Sequence, residues 1–134
     1  MKPADFDHMI QLNLRAPFYL MELFKEFLIE SKGCIVNISC DKGSRPEAGM
    51  LGYCMAKAGL EMLTQTTAMK LAKSGVRVNA VASSFVDTNL YRAAGVPDEN
   101  YDQLKERMRL KNPMQKIATE INVAKAIIHL TNEL

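Results

Sequence analysis

Tyr53 and Lys57 stand four residues apart in the run Tyr53-Cys54-Met55-Ala56-Lys57. On a helix that spacing puts a phenol and an ammonium on one face, one turn from each other. A free tyrosine keeps its proton up to a pH of about 10. A cation held beside it favours the phenolate and brings proton exchange toward neutral pH, which suits the pair to acid–base work. Taken alone, the same spacing also describes an ordinary solvated surface pair. The surrounding elements have to decide between the two.

The other reactive side chains offer less. Cys34, Cys40 and Cys54 are odd in number and contain no C-x-x-C pair. This disfavours a disulfide framework and a structural zinc site, and points to a reduced, cytoplasmic setting. His8 and His129 have no cysteine or carboxylate at ligand spacing, so both read as packing or surface residues and no metal site is expected. Cys54 reads as a small buried filler, and the nine methionines as core filling along helical stripes.

Apolar residues at Phe6, Met9, Ile10, Leu14, Phe18, Met21, Phe24 and Leu28 follow the three-and-four spacing of one helix face and predict a helix from Pro3 to about Glu30. Pro17 interrupts it, because proline cannot donate the hydrogen bond that the Asn13 carbonyl, four residues back, would receive. Gly33 ends this helix, and the run from Cys34 to Ser39 predicts a buried strand. The glycine- and proline-bearing stretch from Asp41 to Gly52 predicts a loop. A second helix follows to about Ser74, with Leu60, Leu63, Thr67 and Leu71 on one face and Gly75 as its stop. Val76 to Val81 predicts a second strand. Two further helices are expected, one capped by Asp98 and reaching about Leu110, the other capped by Thr119.

The order helix-strand-helix-strand-helix-helix joins the two strands by a helical crossover, so they should pair in parallel within one α/β domain spanning residues 1–134. Two strands make a poor sheet, since parallel sheets are normally larger and covered on both faces. With 17 basic against 15 acidic residues the net charge is only +2, and no block of five like charges occurs, so no nucleic-acid partner is expected. Basic Arg107, Arg109, Lys111 and Lys116 read as a solvated face. The first thirty residues are broken by charges such as Asp5, Arg15 and Lys25, which fits neither a signal peptide nor a membrane span.

From Gly33 to Thr88 the sequence resembles the core of the short-chain dehydrogenase/reductase family. The resemblance rests on Asn37-Ile38-Ser39-Cys40, Tyr53 thirteen residues after Cys40, Lys57, Arg77-Val78-Asn79, Ser83-Ser84 and Thr88, with Asn13-Leu14 on the first helix. It extends over essentially the whole chain and weakens after about Asn89. It implies a partial Rossmann-like, doubly wound α/β fold without the N-terminal nucleotide-binding half and the final strand. It also implies NAD- or NADP-dependent oxidation or reduction of small alcohols and carbonyls. By the resemblance, Tyr53 would be the proton donor or acceptor, and Lys57 would lower its pKa and hold the nicotinamide ribose. Asn13 would support a water in the proton relay, Thr88 and the backbone near Val86 would meet the carboxamide, and Ile38 would lie beside the nicotinamide ring. The two long helices would pair with a second copy or a related subunit.

The sequence departs from the family pattern in three places. Cys40 stands where the pattern has a serine that hydrogen-bonds the substrate oxygen, and a thiol is the weaker, longer donor. Two readings of Cys40 stay open: a simple serine replacement, or a reactive thiol in the cleft. Ser39, one residue away on a strand, should point to the other face. Ser83-Ser84 replaces the family's Pro-Gly, and no glycine-rich strand-to-helix turn that could cradle a pyrophosphate occurs in the sequence. Reduced or absent catalysis by this chain alone is therefore expected. A non-catalytic role, docking on a related subunit, is the competing reading, and a third is that two strands bury too little for stable folding.

Overall fold

A computed structural model describes residues 1–93 and 95–132. The first helix runs without a gap from Pro3 to Ser31, with its irregularity just before Pro17. It comprises α1 (Pro3–Ile10), a π-helical segment (Gln11–Arg15) and α2 (Ala16–Ser31), with the Ala16 N–H reaching back five residues to the Gln11 carbonyl. This corrects the expectation of one helix interrupted at Pro17. The missing proline N–H and the bulk of its ring disfavour the normal four-residue turn, and the wider turn just before the proline relieves both.

Strand β1 (Cys34–Cys40) pairs in parallel with β2 (Arg77–Ser83), in a register running from Cys34 opposite Arg77 to Cys40 opposite Ser83. Between them α3 (Leu51–Leu71) forms the crossover, ending in a 3₁₀ turn (Ala72–Ser74) closed by Gly75 in the left-handed region (φ 78°). The second strand thus lies one residue later and ends two residues later than Val76–Val81. Helix α3 buries Ala56, Leu60, Thr64 and Leu71, and Thr64, not Leu63, carries the stripe onward. Thr64 is tolerated there because its hydroxyl donates to the Leu60 carbonyl (2.7 Å) and accepts from the Asn37 amide (2.8 Å), so that hydroxyl is paired in both senses. Leu71, Val76 and Val78 form the apolar centre, with Leu28, Ile29, Ile35 and Ala68 packed around it.

After β2, three elements too short to carry any periodicity are interspersed with two longer helices. Strand β3 (Val86–Asp87) leads into α4 (Leu90–Ala93) and then α5 (Asp98–Lys111). Strand β4 (Ala118–Thr119) pairs in parallel with β3 and opens α6 (Glu120–Thr131). Thr119 caps α6 in a capping box with Asn122, as its sequence position suggests. Asp98 does not cap α5. Pro97 holds the cap position, and Asp98 is the first helical residue, its carboxylate 2.6 Å from the Arg92 guanidinium. Arg77 donates to the Leu130 carbonyl (2.7 Å) and so ties the end of α6 to β2.

The apolar face of the first helix is less buried than its spacing suggests. Of that face Met21 alone is fully covered in α2 and Phe18 and Phe24 are exposed, and off the face Leu20, Leu23 and Phe27 are exposed as well, Leu23 at 69% and Phe27 at 68%. No helix among the described residues is long and apolar enough to cross a membrane.

Candidate active site

Tyr53 is the third residue of α3, and Lys57 lies one turn further on. Helix α3 approaches the π-helical segment closely at Gly59, where an added Cβ would sit 2.7 Å from a Leu14 methyl. That close approach sets Asn13 beside the start of α3. The Lys57 side chain, only 8% exposed, reaches across to the end of β1 and donates to the Ile38 carbonyl at 2.8 Å. Its ammonium sits 5.5 Å from the centre of the Tyr53 ring. Asn13 donates from its amide to the Met9 carbonyl at 3.1 Å, and Thr88 accepts from the Leu90 N–H through its hydroxyl at 3.3 Å.

Asn13, Ile38, Cys40, Tyr53, Lys57, Val86 and Thr88 all line one cleft of about 810 Å³. Residues from four separate stretches of sequence therefore face one space. Ser39 also borders this cleft, but its hydroxyl is taken up by the Glu61 carboxylate, to which it donates at 3.0 Å. The Cys40 thiol donates to the carboxylate of its neighbour Asp41 at 3.4 Å.

The electrostatics run against a ready-made phenolate. Burial, followed by the nearby Cys40, pushes the Tyr53 phenol well above the ordinary tyrosine value. Burial also pulls Lys57 below the ordinary lysine value. Both shifts have the same origin, since a half-buried site disfavours whichever form carries charge. Lys57 is turned to the Ile38 carbonyl and meets the tyrosine at its ring face. Cys40 is raised as well, mainly by burial, which favours its thiol form.

The cleft also contains residues that the sequence reading did not single out. Phe85 and Tyr91 stack at its wall with ring centres 5.2 Å apart and planes 30° from parallel. Met1, Met9, Met50 and Met108 line it too, as does Arg107, so these methionines and this arginine are not simply core filler and solvated face. Lys42 and Glu47 pair at 2.7 Å at its edge, which raises the lysine and lowers the glutamate from their ordinary values. Behind it, Tyr101 of α5 is 1% exposed and donates to the Asp87 carboxylate at 2.7 Å, and Lys105 pairs with the same carboxylate. No signal in the sequence marks Tyr91 or Tyr101, because each acquires its role from contacts made by the short segments β3 and α4.

The structure thus brings a tyrosine and a lysine one turn apart to a cleft beside the strand end of a parallel crossover unit. Residues 1–134 match the family described as enoyl-(acyl carrier protein) reductase, and the chain belongs to this family of NAD(P)-dependent short-chain dehydrogenases/reductases. It is 33% identical over 134 residues to the 3-oxoacyl-[acyl-carrier-protein] reductase FabG of Rickettsia bellii, covering 99% of this chain and 53% of that protein. The FabG of Staphylococcus aureus is 29% identical over the same length. Among solved structures, a Caenorhabditis elegans short-chain dehydrogenase/reductase of unknown function with cofactor superposes with a TM-score of 0.89 at 33% identity, over 94% of this chain and 48% of that one. ElxO with NADP bound gives 0.88 at 28% identity, over 99% and 53%. The chain thus spans about half the length of the curated relatives it matches.

Proposed function

We propose that this chain forms the proton-transfer side of an NAD(P)-dependent active site that reduces a small carbonyl substrate or oxidises the corresponding alcohol. The observation that carries the reading is the convergence of Tyr53, Lys57, Ile38 and Thr88 on one cleft. The nicotinamide end of a dinucleotide suits those residues. Ile38, partly exposed to the cleft, offers an apolar surface for a flat ring; the Lys57 ammonium can donate to a ribose hydroxyl, and the Thr88 hydroxyl can donate to a carboxamide. The dinucleotide, when bound, supplies or accepts the hydride.

Tyr53 does the proton chemistry. The phenol is protonated at neutral pH and so can donate as charge develops on a carbonyl oxygen, although burial raises its pKa and makes it a weaker acid in the cleft. Lys57, held by the Ile38 carbonyl, keeps a positive charge 5.5 Å from the Tyr53 ring centre, where a cation favours the phenolate left after transfer. Asn13 borders the same space and supports reprotonation through water. Cys40 has its thiol proton directed at Asp41 and contributes little polarisation.

The names of the relatives make a 3-oxoacyl ester the first substrate to assay. Carbonyl-dependent oxidation of NADPH or NADH by the protein at its native length is the test. Consumption of dinucleotide that requires the 3-oxoacyl ester supports the reading, and none with either dinucleotide across simple ketones and 3-oxoacyl esters counts against it. We further propose that turnover needs elements that cradle the pyrophosphate. The outer edges of the β1–β2 pair, unpaired among the described residues, support that requirement. The three free thiols support a reducing, cytoplasmic setting.

A second reading, docking on another copy or a related subunit, is favoured by the exposed stripes on the long helices. Leu20, Leu23, Phe24 and Phe27 lie along α2, and Met55, Met62 and Met69, with Met69 at 81%, recur at seven-residue intervals on α3.

A further inference from the structure

The weak point of the site as read above is the second hydrogen bond to the substrate oxygen. Tyr53 supplies one donor, and the position opposite it holds Cys40. A thiol is a poor donor, and this one already gives its proton to the Asp41 carboxylate at 3.4 Å. An oxygen that takes on charge with a single good donor is stabilised far less than one with two.

The cleft contains another donor. Tyr91 of α4 lines the same space as Tyr53 and Cys40. Its ring is held by stacking on Phe85, at 5.2 Å between centres. Its hydroxyl makes no hydrogen bond to any described residue, whereas the hydroxyl of Tyr101, the other tyrosine of this region, is fully engaged with Asp87 and the Thr88 carbonyl. Resting on the reading of Tyr53 as proton donor, we propose that Tyr91 is a catalytic residue that supplies the second hydrogen bond to the substrate oxygen, replacing the donor lost at Cys40.

Several observations agree with this. Burial raises Tyr91 above the ordinary tyrosine value, with Cys40 the next largest influence, so the hydroxyl keeps its proton and its donor capacity across the neutral range. Tyr91 and Tyr53 line the same cleft, together with Ser83 at the end of β2 and Ser84 and Phe85 after it. The reaction balances without any contribution of protons from Tyr91. The carbonyl carbon takes hydride from the reduced dinucleotide, which becomes oxidised, the oxygen takes the Tyr53 proton, and Tyr91 keeps its own. Because the residue sits on the short helix after Thr88, its placement also explains how a site with a cysteine at this position could keep polarising power.

A double-mutant cycle tests the proposal. NADPH-dependent reduction of ethyl acetoacetate is measured on the protein at native length for the parent, Tyr91→Phe, Cys40→Ser and the combination, with Tyr53→Phe as a control. Phenylalanine keeps the stack on Phe85, and a thermal melt of each variant reports whether the fold is intact. In the Cys40 parent, Tyr91→Phe is expected to lower kcat on the order of 10²-fold, as for loss of one donor to a developing oxyanion, with little change in KM. In the Cys40→Ser background, where a hydroxyl takes over, the same change is expected to cost less than about tenfold. Equal losses in both backgrounds, or no loss in the Cys40 parent, overturn the proposal while leaving Tyr53 untouched. Turnover that survives Tyr53→Phe overturns the underlying reading instead, and a parent without turnover overturns both.

Discussion

At Tyr53 the surroundings favour keeping a proton, and at Lys57 they favour losing one. The signs set a pH profile. Reduction requires the phenol protonated and the ammonium charged, and as pH rises the depressed lysine gives way before the elevated tyrosine. The rate of reduction is expected to be level through neutrality and to fall on the alkaline side below the ordinary lysine value of about 10.4. Replacing Lys57 with arginine, which stays charged, should move that limb upward. A limb that does not move in Lys57→Arg would mean that Lys57 is not the group titrating. At this scale the sequence could name Tyr53, Lys57 and Cys40 together through the family resemblance, whereas spacing alone related only Tyr53 and Lys57, one turn apart on one helix. Tyr91 was not legible, since nothing in sequence relates a residue of α4 to one at the start of α3. The direction of the Tyr53 shift was not legible either, because it depends on burial and on Lys57 turning to the Ile38 carbonyl.

Among the elements, the segment from β3 to α5 has the most to reveal. It is held by Tyr101, fully buried on an otherwise polar helix, through its hydrogen bond to the Asp87 carboxylate. Removing only that hydroxyl in Tyr101→Phe is expected to cost about 1.5–3 kcal/mol, the usual worth of a hydrogen bond to a charged group. Urea unfolding checks this, and an unchanged midpoint would mean that the bond does not anchor α5. The parallel pairing of β1 with β2, the α3 crossover and the Thr119 cap were readable because each has a strong local signal. The π-helical turn shows the limit of such reading: Pro17 reveals that the helix is disturbed, but how it recovers depends on packing against α3. Asp98 resembles a cap in sequence, yet Arg92 draws its carboxylate away and Pro97 takes the position. Strands of two residues such as β3 and β4 carry no pattern to read at all.

Over the whole molecule, exposed apolar residues recur along α2 and α3, Leu20, Leu23, Phe24 and Phe27 on the first and Met55, Met62 and Met69 on the second, and the proposed docking reading rests on them. Association through α2 should be weakened by a charge in its middle. Leu23→Glu is expected to shift the protein to a smaller species in sedimentation velocity without lowering its helix content, and an unchanged distribution would exclude the α2 face from the contact. The α/β class and the parallel order were legible in the alternation of elements. The uncovered faces were not, because periodicity marks an apolar stripe without saying what covers it.

The central claim is that Tyr53 transfers the proton. Its most direct test is the turnover of Tyr53→Phe with NADPH and ethyl acetoacetate, measured alongside dinucleotide affinity. A loss of about 10²–10⁴-fold in kcat with NADPH affinity retained is the expected result. Turnover within tenfold of the parent would contradict the claim.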